Sequence, residues 1–186
     1  MEKATLAGGC FWCSEAIFKR LKGVVSVTPG YSGGEPPPPA GGFGGVTPSY
    51  EAVTSGRTGH AETIQIEFDP NTISYEKLLE VFFKLHDPTT MDRQGNDIGT
   101  QYRSAIFYLD EKQKETAEKV RKKIEEEKIY GKPIVTEIVP FKNFYKAEAY
   151  HLDYYAKNPD QPYCKIVIDP KITKLFKEFK DVVKED

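Results

Sequence analysis

The chain has 186 residues, of which 39% are hydrophobic and 29% charged, and its formal net charge is -2 at pH 7. This length predicts a single domain, residues 1–186, with enough side chains for a proper core. Because 26 Lys and Arg residues are balanced by 28 Asp and Glu residues, neither nucleic acid nor a membrane is expected as a partner. No apolar run approaches the roughly 20 residues of a membrane span, and the first residues lack the pattern of an export signal. The 3 cysteines then favour working thiols in a reducing compartment, by default the cytoplasm.

Two of the cysteines lie at a predicted strand-to-helix turn. Residues 4–7 are typical of a short strand, and residues 16–21 of a helix that Gly23 ends. Between them, Cys10 follows a glycine pair at the expected mouth of the helix. Unpaired backbone N–H groups and the positive end of the helix dipole favour thiolate there, which predicts Cys10 as a nucleophile. The alternatives are a tight turn with a buried thiol, or half of a metal site formed with Cys13.

The next segments are predicted to be a strand, a long loop and a second strand. Residues 23–31 indicate a strand, whose run of β-branched side chains stops at Pro29 and Gly30. Residues 32–49 are rich in glycine and proline, which is typical of a long surface loop that can border a functional site. Residues 61–68 alternate between polar and apolar side chains, which predicts a half-buried strand.

Glu62 falls in register with the apolar side chains of that second strand. Burial would raise the pKa of its carboxyl and so make it a suitable general acid near neutral pH. The alternative is that Glu62 lies at the fraying start of the strand and points into solvent.

The second half of the chain alternates predicted helices and strands. Helices are expected over 74–86, 110–128, 146–157 and 172–183, and strands over 104–109, 133–140 and 165–170. The polar segment 87–103 is expected to be an irregular loop of the kind that carries function. Short links and the absence of a repeat predict an α/β (α+β) fold, a two-layer α/β sandwich with a mixed sheet and a ferredoxin-like core.

Three separated motifs resemble those of one known family. In chain order they are Gly9-Cys10-Phe11-Trp12, Gly59-His60-Ala61-Glu62, and the run from Gln94 to Ser104. Together they look like the peptide methionine sulfoxide reductases of the A type, over nearly the whole chain. The resemblance implies an enzyme that repairs oxidised proteins by reducing methionine S-sulfoxide, free or in peptides and proteins, to methionine. No cofactor and no metal ion are expected, because the remaining Cys and His residues are scattered.

The resemblance also implies a role for each site residue. Cys10 would attack the sulfur of the sulfoxide, while Glu62 would protonate its oxygen. The groups around the substrate would be Tyr50, Tyr102 and Asp97 at the oxygen or an adjacent water, and Phe11 and Trp12 at the S-methyl group. Ordinary core packing is the alternative for the last two aromatic residues.

The cysteine that resolves the reaction is left open between two candidates. A sulfenic acid on Cys10 would condense with a second thiol, and a thioredoxin-type dithiol would reopen the disulfide. Cys13 is close in sequence, but residues three apart on a helix have Cβ atoms about 5–6 Å apart. A disulfide needs about 3.5–4.5 Å. Cys164 lies where many family members carry a recycling cysteine. Cys13 is slightly favoured as the first resolver, and a monomer is expected.

Two other classes of protein stay open. A general thiol–disulfide oxidoreductase using Cys10 and Cys13 would reduce protein disulfides and would not need Glu62. A binding module for oxidised methionine peptides would bind its ligand without turnover in the presence of thiols.

Overall fold

The structure, a computed structural model, describes residues 1–35 and 48–184. Its strands are β1 Glu2–Gly8, β2 Val24–Ser32, β3 Ala61–Phe68, β4 Arg93–Gln94, β5 Asp97–Ile98, β6 Ser104–Tyr108, β7 Glu137–Pro140 and β8 Tyr145–Lys146. Six of them form one sheet in the order β7-β6-β1-β3-β2-β8, and β4 pairs with β5 in a separate hairpin. The β6–β7 pair is parallel and the other neighbours are antiparallel, so the sheet is mixed.

The helices differ in their packing, and the longer ones bury apolar side chains against this sheet. The helices are α1 Phe11–Phe18, α2 Tyr50–Thr54, α3 Tyr75–Leu85, α4 Glu111–Glu126, α5 Tyr154–Lys157 and α6 Asp169–Glu178. Residues of α1, α3, α4 and α6 share a single buried cluster with Leu6 of β1 and with Ile64 and Ile66 of β3. The predicted two-layer sandwich with a mixed sheet is therefore confirmed. Among the described residues, no helix has both the length and the apolar character needed to cross a membrane.

Strand β3 occupies the centre of the sheet, between β1 and β2. Its predicted range and alternation are confirmed, since Ile64, Ile66 and Phe68 are fully buried in the core against the helices. Glu62 is on the same side of the strand and only 2% exposed. The alternative in which its carboxyl points into solvent is therefore wrong.

Strand β2 agrees with the predicted range 23–31 to within one residue at each end, and its pairing continues to Ser32, past the point where the β-branched run stops. The two residues at that point pair with β3, Pro29 opposite Ile64 and Gly30 opposite Thr63. Gly30 is needed there for a reason other than a turn, because a Cβ at this position would lie 2.4 Å from the carbonyl oxygen of Tyr145 on β8. The loop predicted over 32–49 lies for the most part outside the described residues.

Two predictions in the last third of the chain are wrong. Residues 146–157 are not one helix, because Asp153 adopts a left-handed conformation with φ of 57°. A 3-10 turn, Ala149–His151, precedes this break and α5 follows it. Residues 165–170 are not a strand but a π-helical turn, Cys164–Ile168, that leads directly into α6. The β-branched residues of this turn favour a strand locally, but Cys164 and Ile168 are buried in a cluster with side chains of α1 and α6.

The predicted starts of two helices, at residues 74 and 110, are confirmed by their capping hydrogen bonds. The hydroxyl of Ser74 accepts a hydrogen bond from the Lys77 N–H at the start of α3. The carboxylate of Asp110 accepts one from the Gln113 N–H at the start of α4. Each satisfies a backbone donor that a helix start leaves unpaired.

The turn from β1 into α1 depends on its glycine pair. Gly9 has φ of 90°, and a Cβ added to it would lie 2.6 Å from Cγ of Gln94. A Cβ at Gly8 would lie 2.9 Å from Cε2 of Phe82. The chain can therefore reverse tightly from the sheet into the helix only with glycine at these positions, and Cys10 is held directly after the turn.

We predict that Gly9→Ala lowers the free energy of unfolding by about 1–3 kcal/mol more than Gly95→Ala, the usual cost of overpacking. Gly95 is a matched control, since its φ is also positive, at 59°, but an added Cβ would have no heavy atom within 4 Å. Urea unfolding of both variants measures the difference. Equal losses would show that backbone strain alone, and not the contact with Gln94, requires glycine at position 9.

Candidate active site

Cys10 lies immediately before the first helical residue, Phe11. Its backbone, with φ of -56° and ψ of 125°, is not helical, while its carbonyl oxygen accepts the Cys13 N–H at 3.2 Å. Helix α1 therefore begins five residues earlier than the predicted residues 16–21. The Cβ separation expected for two helical residues does not apply to Cys10 and Cys13, because only Cys13 is within the helix.

Glu62 reaches the start of this helix from the neighbouring strand. Its Oε2 accepts a hydrogen bond from the Phe11 N–H at 3.0 Å. Burial raises the pKa of the Glu62 carboxyl to about 8, although the Phe11 N–H partly opposes this, and the negative charge of Asp97 raises it further. The Glu62 side chain is therefore a protonated acid at neutral pH, next to Cys10.

The two neighbouring thiols differ in acidity. Burial raises the pKa of Cys10 well above its usual range, and Cys13 and the charge of Glu62 add to the effect. In contrast, the pKa of Cys13 is lowered to about 7, first by Cys10 and then, against the effect of burial, by the charge of Lys171 and by Tyr163. In the substrate-free protein, burial therefore opposes the predicted effect of the helix start on the Cys10 thiol, and the first N–H of that helix is donated to Glu62.

Cys13 is surrounded by groups from distant parts of the chain. The hydroxyl of Tyr163 lies 3.7 Å from Sγ of Cys13 and donates a hydrogen bond to Oδ2 of Asp97 at 2.7 Å. Lys171, at the start of α6, lines the same small cavity as Cys13. Asp97, in the β4–β5 hairpin, thus contacts the cysteine pair through the phenol of Tyr163.

Tyr50 and Tyr102 lie on two other segments around Cys10 and Glu62. Tyr50 begins α2, and Tyr102 ends the 3-10 turn Thr100–Tyr102. Burial raises the pKa of both phenols, and the charges of Glu62 and Cys10 raise it further. Both side chains therefore stay neutral at physiological pH and can donate hydrogen bonds.

Phe11 and Trp12 differ in their surroundings. Phe11 is fully buried, with its ring centroid 5.9 Å from that of Tyr31, and is thus part of the core. Trp12 is only partly buried. Its indole is stacked on Tyr154 at 3.6 Å, and its Nε1–H donates to Nδ1 of His151 at 3.1 Å.

The third cysteine, Cys164, is brought to the same place. It is fully buried in one apolar cluster with Cys10 and Cys13, and all three thiols are free. Burial raises the pKa of Cys164. Its position directly after Tyr163 places it beside the contact between that phenol and Cys13.

Four residues that contact the predicted site could not be identified from the sequence: Tyr163, His151, Tyr154 and Glu148. Tyr163 adjoins Cys164, and this proximity was the one available signal. The others lie in the segment wrongly predicted as a regular helix, so their side-chain directions were not predictable.

The two histidines other than His151 have structural contacts, since His60 accepts the Gly34 N–H and His86 contacts Ser104. Within residues 1–35 and 48–184, no three His, Cys, Asp or Glu side chains converge as a possible metal site.

Comparisons with known sequences confirm the resemblance seen in the motifs. The model of the peptide methionine sulfoxide reductase family matches residues 2–183. Peptide methionine sulfoxide reductase MsrA of Sulfolobus acidocaldarius is 58% identical over 181 residues, which cover 97% of each chain. The protein of the same name from Thermus thermophilus is 51% identical over 183 residues, which cover 98% of each chain.

Solved structures of similar proteins share the fold. Mxr1 from Saccharomyces cerevisiae in its reduced form is 36% identical, with a TM-score of 0.80 over 88% of each chain. Mxr1 in complex with Trx2 is 26% identical, with a TM-score of 0.55 over 82% of this chain and 84% of that one. Family model, sequence relatives and fold agree over nearly the full length, so this chain belongs to the peptide methionine sulfoxide reductase family and is an enzyme of that class.

Proposed function

We propose that this thiol-dependent reductase acts on the S epimer of methionine sulfoxide, free or in proteins, with Cys10 as nucleophile and Glu62 as general acid. The observation that carries the proposal is the buried Glu62 carboxyl, which accepts the Phe11 N–H and has a pKa of about 8. A sulfoxide sulfur is a poor electrophile until its oxygen is protonated. A carboxyl that holds its proton at neutral pH beside a thiol suits this need.

The reductive step uses both cysteines of the pair. Cys13, with a pKa of about 7, accepts the Cys10 proton as Sγ of Cys10 forms a bond to the sulfoxide sulfur. Glu62 gives its proton to the sulfoxide oxygen. The oxygen then passes to Sγ of Cys10 as the bond between the two sulfurs breaks. Methionine leaves with two more electrons than the sulfoxide had, and Cys10 is left as a sulfenic acid.

The surrounding side chains hold the substrate. The neutral phenols of Tyr50 and Tyr102 donate hydrogen bonds to the sulfoxide oxygen, whereas Trp12 and Phe11 contact the S-methyl group. Asp97 contributes through the phenol of Tyr163, whose proton it accepts in a hydrogen bond at 2.7 Å. The raised pKa values of Tyr50 and Tyr102 support this assignment, because ionised phenols would repel the oxygen.

Resolution of the sulfenic acid is assigned first to Cys13. Its lowered pKa supports the assignment, since the thiolate is the attacking species. Cys13 gives up the proton that it accepted in the reductive step, its thiolate attacks Sγ of Cys10, and that proton joins the departing hydroxyl as water while a Cys10–Cys13 disulfide forms. Cys164, which lies in the same buried cluster, is the second candidate or a relay partner. A thioredoxin-type dithiol then reopens the disulfide, which the complex of Mxr1 with Trx2 supports.

We also propose that residues 1–186 work as a single catalytic domain and as a monomer, in the cytoplasm. Three free and buried cysteines suit a reducing compartment, where a thiol-dependent cycle can be renewed.

The proposal is tested by reduction of free and peptide-bound methionine sulfoxide, with each epimer supplied separately and a dithiol present. The wild type should reduce the S epimer only, and Cys10→Ser should have no activity. Reduction of insulin disulfides serves as the control for a general thiol–disulfide oxidoreductase. Activity that survives Cys10→Ser would contradict the proposed mechanism.

Removal of the acid should slow the reductive step strongly. We predict that Glu62→Gln lowers the single-turnover rate of methionine formation about 10²-fold or more, the usual loss for a general acid. Gln keeps an oxygen that can accept the Phe11 N–H, so the variant retains the structural contact. A rate near that of the wild type would show that the proton comes from another group.

The same step should lose rate as the pH rises through about 8. The pKa of Glu62 is raised to about 8, so the carboxyl is protonated below this pH and unable to donate above it. A rise near pH 7 should come from Cys13, whose pKa is about 7. Single-turnover rates across pH 6–10 in the wild type should show both limbs. The fall in the single-turnover rate near pH 8 should be absent in Glu62→Gln. If the rate of this variant still falls near pH 8, the titrating group is not Glu62.

Stoichiometry without a reductant should identify the resolving cysteine. We expect the wild type to release one methionine per chain and to contain a Cys10–Cys13 disulfide on peptide mapping. Cys164→Ser, the matched control, should behave in the same way. Cys13→Ser should still form one methionine, but more slowly because the group that accepts the Cys10 proton is lost, and should leave a sulfenic acid that dimedone traps. A Cys10–Cys164 disulfide formed at the wild-type rate in Cys13→Ser would instead assign first resolution to Cys164.

A further inference from the structure

His151 is a fully buried side chain that the mechanism above does not use. Its Nδ1 accepts a hydrogen bond from the indole N–H of Trp12 at 3.1 Å. Since Nδ1 accepts, the ring is neutral and its proton is on Nε2. Burial lowers the pKa of His151, which keeps this neutral form at physiological pH, while the charges of Glu148 and Glu51 act in the opposite direction. Nε2 has no hydrogen-bond partner among the described residues.

The indole of Trp12 is contacted by three aromatic side chains of the C-terminal half. Tyr154 stacks on it with ring centroids 3.6 Å apart and planes within 7° of parallel. The ring of Tyr163 meets it edge-on at 5.9 Å. Stacking leaves the indole free to turn within its own plane, whereas the hydrogen bond to His151 fixes that remaining angle.

The segment that carries His151 and Tyr154 is itself anchored at both ends. We call residues 148–154 the clamp segment. At its start, the Glu148 carboxylate accepts the Tyr50 N–H and the Tyr31 hydroxyl, both at 2.8 Å. Toward its end, the Asp153 N–H donates to the buried carboxylate of Glu15 at 3.0 Å. Lys19 forms ion pairs with both Glu15 and Asp153. The clamp segment is therefore tied to α2, which carries Tyr50, and to α1, which follows Cys10.

We propose that His151 is a positioning and specificity-determining residue, which fixes the Trp12 indole as a rigid wall so that the site admits an S-methyl group and rejects larger S-alkyl groups. This inference rests on the proposed function, in which Trp12 contacts the S-methyl group. Without the acceptor, the indole N–H has no partner in a partly buried position and the ring can turn. A turned ring leaves room for one more methylene group, which a rigid pocket discriminates by about 10–200-fold.

The test compares kcat/KM for the S-sulfoxides of methionine and ethionine, which differ by one methylene on sulfur. His151→Phe keeps a ring among the neighbouring aromatic side chains but removes the acceptor. His151→Asn keeps an acceptor close to the position of Nδ1. We expect the methionine-to-ethionine ratio to fall about fivefold or more in His151→Phe, the usual loss for one hydrogen bond, and to stay near the wild-type value in His151→Asn. A merely structural role would lower both kcat/KM values together and leave the ratio unchanged.

The chain offers a second measurement because Trp12 is its only tryptophan. Replacement of that residue by its benzothienyl analogue keeps the bicyclic ring and removes the N–H while His151 is intact. The protein with the benzothienyl analogue should show the same fall in the methionine-to-ethionine ratio of kcat/KM. This measurement tests the role of the hydrogen bond even if His151→Phe does not fold. Time-resolved fluorescence anisotropy should show a faster indole in His151→Phe than in the wild type or in His151→Asn.

The outcomes separate this inference from the proposed function. An unchanged ratio in both His151→Phe and the benzothienyl protein would overturn the role of His151. An unchanged ratio in Trp12→Ala would instead remove the assignment of Trp12 to the methyl group, and with it the basis of the inference. A fall in Trp12→Ala, His151→Phe and the benzothienyl protein, with recovery in His151→Asn, is the result we expect.

Discussion

The hydrogen bond from the Phe11 N–H to Glu62 joins the two halves of the site. A helix start leaves backbone N–H groups unpaired, and here a carboxyl from the central strand satisfies the first of them. The contact is possible because β3 lies beside β1, from which α1 begins after the glycine turn. It fixes Cys10 beside a side chain that is 2% exposed. Exclusion of water from this contact in turn raises the pKa of the carboxyl to about 8.

Burial also determines how the ionisable groups share protons. Isolated thiolates and carboxylates are costly in a dry interior, so Cys10 and Glu62 both have raised pKa values. Cys13 is the exception because Cys10, Lys171 and the phenol of Tyr163 stabilise its charged form. The site therefore combines a carboxyl that burial keeps protonated with a thiol whose charged form has stabilising partners. The mechanism proposed above uses both groups, one to donate a proton and the other to accept one.

The rest of the site is contributed by segments that are far apart in sequence. Tyr50, Tyr102 and Tyr163 come from a short helix, a 3-10 turn and the residue before a π-helical turn. Each of these short segments is held by contacts to other parts of the chain. Val53 of α2 lies in the main core cluster with Ile64 of β3, and Tyr102 and Tyr163 pack against the cluster that contains Cys13 of α1. The clamp segment is the clearest case, since a left-handed Asp153 directs its N–H to Glu15 and so brings Tyr154 against Trp12. Rigidity at the substrate thus depends on polar anchors outside the site.

The sequence by itself determined the regular parts of this protein and indicated the residues of its candidate site. Strand β3, with Glu62 on its apolar side, and the capped helices α3 and α4 follow from local periodicity and capping, which short stretches of chain express on their own. The motifs around Cys10, Glu62 and Tyr102 identified the family before any coordinate was known. Only the tertiary structure decided that residues 164–168 are helical, that residues 146–157 are broken, and that Tyr163 and His151 meet Cys13 and Trp12. It also decided that burial raises the pKa of the Cys10 thiol, against the effect of the helix start. These outcomes depend on burial and on long-range partners, and no local sequence pattern encodes either.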